Sequence, residues 1–277
     1  MKNILLPTDF SENSINAIDY AVKLFSNSEI KFHILNVQII SDYTTSELMT
    51  SSPSNSVYKE VLDDNKLKIE KLVEKLEAEN SSQKFTFKKL LDYDVCTDAI
   101  RQAVKLYEID LIIMGTNGAT GAKEVIFGSN TIKVIRNINC PIIAVPEKFS
   151  FSKIKRILFS IHSPLKTSYS GLKPLRSILR IYEPDLDVLE ITEDTKQLKK
   201  EEDDLFIKDI LYEFDFNKFE IKKVPFLYAI EVFQQLMPVD LHALLIEKES
   251  FIDRIIFGSK TSNITYNSKV PLLVLHP

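Results

Sequence analysis

The sequence predicts an α/β protein built as two tandem repeats of a five-stranded parallel sheet, flavodoxin-like or Rossmann-like, with helices on both faces. Three observations predict it. Short apolar runs alternate with stretches of helical periodicity, the pattern of βαβ units. Several of those runs are near-continuous in apolar residues, as strands buried on both faces are. The same order of segments then occurs a second time. With 277 residues, 44% of them hydrophobic and 27% charged, the chain can bury two full cores.

Taken in order, "NILLPTD" is a first strand stopped by Pro7. Ser11 to Ser26 carries Ala17, Ala21, Leu24 and Phe25 at helical spacing, with Ser11 as N-cap. "KFHILNV" is a second strand, and the Ser/Thr-rich segment from Ser41 to Ser56 reads as a mobile loop. Leu62, Ile69, Val73 and Leu76 mark one face of a long helix. "KFTFKKLL" alternates like a strand, and Asp98 to Tyr107 is a helix with Ile100, Val104 and Tyr107 inward. "IDLIIMG" is a buried strand, Ile132, Ile135 and Ile138 place another helix, and "CPIIAVP" is a last strand bracketed by prolines. "KIKRILFSIH", "LDVLEIT" and "VDLHALLIEK" then repeat the first, second and fourth strands. "RIIFGSKTSNITYNSKVPLLVLHP" overlies "EVIFGSNTIKVIRNINCPIIAVPE" at a constant offset. The expected division is residues 1–147 and 148–277, with the boundary near Lys148.

Composition removes several function classes. A net charge of -4 and a pI near 5.7 provide no basic field for nucleic acid. No apolar run approaches the ~18 residues of a membrane span, and the amino-terminal run is too short for a signal peptide. Cys96 and Cys140 are far apart, which suits a reducing cytoplasm and gives no metal spacing. His33 reads as an ordinary strand residue, and His162, His242 and His276 are too scattered for a metal site. "KQLKKEEDD" from Lys196 to Asp204 reads as a solvated helix face. Phe151, Phe159, Phe206, Phe214, Phe216 and Phe219 read as core or contacts between the halves.

Four of the six glycines lie between Met114 and Thr131: Gly115, Gly118, Gly121 and Gly128. Glycine serves where a backbone takes positive φ or approaches another group closely. In an open α/β sheet, ligands bind beyond the carboxyl ends of strands where the strand order reverses. The glycine loop follows the fourth strand and Pro7-Thr8-Asp9 ends the first, so a flavodoxin-like order brings both to one crevice. Gly128-Ser129 starts the next helix, whose free N–H groups favour an anion, and Ser129 and Thr131 add hydroxyls. Asp9 reads either as a partner for ribose or a phosphate-borne metal, or as a cap for the following helix. The glycines of the loop read either as a phosphate cradle or as turn and helix-start residues. Neither the P-loop nor the dinucleotide fingerprint fits the spacing.

What fits is G-x-x-G, nine residues, then G-S: Gly115, Gly118, Gly128 and Ser129. With "ILLPTDFSENSINAIDYA" and "CPIIAVP" in order, the first half resembles the ATP-binding branch of the universal stress protein family, and the second half resembles it more weakly. The resemblance implies an adenine nucleotide alpha hydrolase-like fold and an ATP site, with AMP or ADP as competitors and Mg²⁺ carried by the phosphates. It implies that Gly115, Thr116, Gly118, Gly128, Ser129, Asn130 and Thr131 hold phosphates and ribose, with Pro7, Thr8 and Asp9 on the nucleoside side. Val37 would offer its backbone to the adenine edge, with Met114 packed nearby. Asn130 departs from the small or apolar residue usual there, and Asn117 and Gly121 differ in a loop that varies.

In the second half His162 stands where Asp9 would be and Ser160 replaces Pro7. Its shorter loop keeps Gly258-Ser259 without counterparts of Gly115 or Gly118. The expectation is therefore one nucleotide per chain, in a regulatory stress-response protein without fast chemistry. A slow Mg²⁺-dependent ATPase and a nucleotide-free interaction module are the alternatives, since the loop holds neither a general base nor an arginine finger. Family members commonly pair through their last strands. The resemblance thus implies an intramolecular pairing of "CPIIAVP" with "VPLLVLHP", with further homodimerisation and an unidentified protein partner left open.

Overall fold

The computed structural model describes residues 1–38, 57–116, 127–162, 169–193, 207–245 and 269–276, with the side chains of 57–63, 162 and 169–170 outside that description. The expected loop at Ser41–Ser56, the charged run at Lys196–Asp204, Phe206 and the glycines at 118, 121 and 258 lie outside the described residues.

In the first half, β1 (Asn3–Pro7), β2 (Ile30–Val37), β3 (Phe85–Asp92), β4 (Leu111–Gly115) and β5 (Ile142–Val145) alternate with helices. The helices are α1 (Glu12–Leu24), α2 (Val57–Glu79), α3 (Cys96–Leu106) and α4 (Ser129–Asn137). The second half supplies β6 (Arg156–His162), β7 (Asp185–Thr192), β8 (Asn217–Lys222), β9 (Leu241–Leu245) and β10 (Leu272–Leu275). Its helices are α5 (Lys173–Tyr182) and α6 (Phe226–Leu236).

All ten strands form one sheet in the order β3-β2-β1-β4-β5-β10-β9-β6-β7-β8. Every pair is parallel except β5–β10, where Leu273 lies opposite Ile143 in an antiparallel join of the halves. Each half therefore has the order 3-2-1-4-5, mirrored about that seam. The strand order reverses between β1 and β4, which is where such sheets bind ligands.

The repeat is visible in single hydrogen bonds. Asp110 accepts from the backbone N–H groups of Lys2 (2.6 Å) and Asn3 (3.1 Å), and Asp240 accepts from those of Lys155 (2.7 Å) and Arg156 (3.0 Å). Ile112 N–H donates to Pro141 O at 2.9 Å, and His242 N–H to Pro271 O at 3.0 Å. These contacts fix the amino ends of the strands identically in both halves.

Local sequence explains the elements. Ser11 caps α1 by accepting from Ser14 N, and Ala17, Ile18, Ala21 and Leu24 line its buried face. Ile69, Val73 and Leu76 are buried along α2, and Ile100 and Ala103 along α3. The α1, α2 and α5 face of the sheet carries Phe32, Phe159 and Leu245, whereas the α3, α4 and α6 face carries Leu5, Ile112 and Leu244. Linker residues Phe149 and Phe151 pack edge-on against Tyr20 of α1, with ring centroids at 6.0 and 5.6 Å. Tyr182 donates its hydroxyl to Leu24 O at 2.7 Å. The halves thus meet at α1 as well as at the strand seam.

Candidate functional site

β1 and β4 are parallel neighbours, with Ile4 opposite Leu111 and Leu5 opposite Ile112. That pairing places the Pro7-Thr8-Asp9 turn and the Gly115-Thr116 segment side by side at the carboxyl edge. β4 runs apolar and buried to Met114 because helices cover both faces. Beyond it the chain returns at Phe127, and Gly128 donates its N–H to Thr116 O while Thr116 N–H donates to Val145 O. The start of α4 is therefore tied to the ends of β4 and β5.

Gly115 is where glycine is required, and the reason is space. A Cβ built there would lie 2.7 Å from Asn13 Nδ2 and 3.0 Å from the main-chain oxygen of Asn13. The first turn of α1 can approach the sheet only because position 115 has no side chain. Gly128 is the N-cap of α4 with φ -58° and ψ 152°, a conformation open to any residue. Positive φ, the other use expected of the glycine cluster, occurs at neither of these two positions. It occurs instead at Phe10, with φ 63°, where the chain turns from β1 into α1.

That turn is held by a polar network. Thr8 is buried, and its hydroxyl lies 2.9 Å from the Ser14 hydroxyl while accepting from Phe10 N–H at 3.0 Å. Asp9 is exposed, and its Oδ1 accepts from Ser11 N–H at 3.0 Å and from the Ser11 hydroxyl at 2.5 Å. Partial burial pushes the Asp9 carboxyl up, but hydrogen bonds from Ser11, Ser14 and its own backbone together outweigh it, so the net shift is down and the group is an anion at neutral pH. Asn36 donates its Nδ2 to Thr8 O at 2.8 Å.

The residues expected at the site gather here in different roles. Pro7, Val37, Gly115 and Gly128 are half-buried at the edge, and Ser129 and Asn130 are exposed in the first turn of α4. Their N–H groups have no intrahelical partner, and glycine at the cap supplies none. Met114 is buried in the floor. Thr131 is also buried, and its hydroxyl donates to Gly115 O at 2.9 Å, so it braces helix to strand. The Thr116 hydroxyl is buried without a hydrogen-bond partner among the described residues. Gly118 lies outside the described residues.

Sequence reasoning missed Asn13 and Asn36. Asn36 is a polar residue inside the apolar run "HILNV", which was the available signal. Burial raises the Cys96 thiol above its ordinary range, the nearby Lys133 opposes the shift and Asp9 adds to it. Cys96 is thus a protonated thiol beside the crevice. Among the described residues no group of three or more His, Cys, Asp and Glu could hold a metal ion. Likewise, no helix among them is long and apolar enough to cross a membrane.

The second half differs at matching positions. Sheet register sets Leu245 level with Gly115, Ser160 with Pro7, His242 with Ile112 and Glu190 with Asn36. Leu245 is buried in the core on the α1, α2 and α5 face of the sheet. The Ser160 hydroxyl and His242 Nε2 are 2.7 Å apart, both fully buried.

The profile of the universal stress protein family matches residues 1–146. Two universal stress proteins of Methanocaldococcus jannaschii are similar to this part of the chain. Universal stress protein MJ0531 is 27% identical over 144 residues, 52% of this chain and 81% of its own length. Universal stress protein MJ0577 is 28% identical over 162 residues, 54% of this chain and 97% of its own. A crystal structure of a universal stress protein from Archaeoglobus fulgidus shares the fold across both halves. It has a TM-score of 0.67 at 16% identity and covers 98% of this chain and 95% of its own. The chain belongs to the universal stress protein family.

Proposed function

We propose that the chain is a stress-response regulatory protein of the cytoplasm that binds one adenine nucleotide, ATP with Mg²⁺, in its first half. In this reading residues 1–147 form the binding unit and 148–277 a unit paired with it through β5 and β10. The observation that carries the reading is the crevice at the β1–β4 reversal. An anionic Asp9, the close approach of α1 that Gly115 permits and the start of α4, which has no side-chain cap, converge there. Gly115, Thr116, Gly118, Gly128, Ser129 and Asn130 would surround the phosphates, with Thr131 bracing the helix that receives them. Pro7, Thr8 and Asp9 would flank the ribose, and Val37 and Met114 the adenine.

The residues fit Mg²⁺ as a guest of the phosphates. Asp9 and Ser129 offer hard oxygen donors, and a cation already held by phosphate needs only one or two from the protein. The test is a thermal scan with millimolar ATP and Mg²⁺. Ligand at about 100 times its dissociation constant stabilises by about 2.7 kcal/mol. A clear rise in Tm, absent in Gly118→Val, supports the reading; no rise in the wild-type protein contradicts it. Mass spectrometry of the ligand released from freshly purified, denatured protein identifies the nucleotide directly.

A further inference from the structure

We infer that Asn36 is a positioning residue that holds the Pro7-Thr8-Asp9 turn in its ligand-ready form. The inference rests on the nucleotide site proposed above and assigns it a part that no direct contact would reveal. Asn36 is buried at the carboxyl end of β2, one residue before Val37. Its Nδ2 donates to Thr8 O at 2.8 Å, and its Oδ1 accepts from Gln38 Nε2 at 3.2 Å. The Thr8 N–H meanwhile donates to Leu35 O at 2.8 Å, so β2 grips Thr8 at both its N–H and its carbonyl. The following residues leave the sheet at once, with Phe10 at φ 63°. A chain bent into the left-handed region needs its surroundings to hold it there. The Asn36 amide is the side-chain donor that reaches this carbonyl.

The second half provides the contrast within one molecule. Glu190 stands at the register of Asn36, and as a carboxylate it can only accept. It is turned to Lys218, 2.8 Å away across β7 and β8. The residue level with Asp9 in that half is His162, and the one level with Pro7 is Ser160. The half without the amide donor is also the half without the turn's other residues.

The test replaces the donor and keeps the shape. Asn36→Asp in the full chain converts the donor into a carboxylate at about pH 8. Deprotonated, it should lower amide protection of Phe10 and Ser11 by about tenfold in the nucleotide-free protein, the size expected for one hydrogen bond. It should weaken Mg-ATP binding by at least about tenfold. As the pH falls toward about 5.5 the buried carboxyl protonates and can donate again. The affinity ratio of variant to wild type should then close. Protonation also removes the cost of a buried charge, and Asn36→Leu separates that cost from the loss of the donor. Asn36→Leu, which buries no charge, should show the same losses at every pH. Unchanged protection at Phe10 and Ser11 in both variants, or an Asn36→Asp ratio that ignores pH, overturns the assignment. If the wild-type chain binds no Mg-ATP, the nucleotide reading fails by itself, and the exchange measurement still decides whether Asn36 holds the turn.

Discussion

The two halves agree at the amino ends of their strands and differ at the carboxyl ends. Asp110 and Asp240 make the same pair of backbone hydrogen bonds, and Ile112 and His242 the same bond to a proline carbonyl. At the other edge Leu245 takes the place of Gly115, Glu190 that of Asn36, and Ser160 that of Pro7. One edge therefore reports the fold and the other reports the use made of it. A sheet needs its registers and buried apolar strands whether or not a ligand binds. The first half sets a glycine where α1 approaches the sheet and holds the Thr8 turn, whereas the second half has a buried leucine at that register.

Leu245→Ala breaks this comparison with the largest expected effect. It removes a buried side chain where the first half manages with glycine, and should cost about 2–5 kcal/mol as a cavity substitution. Denaturant melts of the variant should show that loss while nucleotide affinity stays unchanged. An affinity change would mean that the second half takes part in binding.

Gly115→Ala is the reverse experiment. The added methyl meets the Asn13 amide at 2.7 Å, and overpacking of this kind costs about 1–3 kcal/mol. Binding should fall with it, and Asn13→Ala in the same chain should recover part of the stability. If Gly115→Ala melts like wild type, position 115 is not where glycine is required.

Acid sharpens the comparison least, but its sign is fixed. Burial pushes His242 down to about 3 and His33 down to about 4, from an ordinary value of 6.5. The unfolded chain therefore takes up protons below pH 6.5 that the folded chain refuses, and stability falls as pH drops from there toward 4. One such histidine costs roughly 1.4 kcal/mol at about pH 5.5. His242→Ile combined with Ser160→Ala removes the buried Ser160–His242 pair and should flatten this acid loss relative to its own stability at neutral pH. An equally steep loss in the double variant would show that other groups set the acid limb.

Most of the fold was legible because it depends on periodicity. "IDLIIMG" and "CPIIAVP" are strands because apolar runs between polar breaks have few other places to go. The recurrence of "RILFSIH" after "NILLPTD" reads as one register repeated. The chemistry at the crevice was legible only as residue types. Thr131 is a hydroxyl in the sequence, but only the packing of α4 on β4 turns it toward Gly115 O. The role of Asn13 depends on how closely α1 approaches the sheet, and that distance is set by contacts far along the chain. Leu245 looks ordinary in "HALLIEK" until register shows that it holds the position Gly115 has in the first half.

The central claim is one working site in a two-part sheet, and calorimetric titration with Mg-ATP tests it most directly. The account predicts about one nucleotide per chain, lost in Gly118→Val, weakened in Asp9→Ala and unaffected in His162→Ala. A stoichiometry near two, or loss of binding on changing His162, would contradict it.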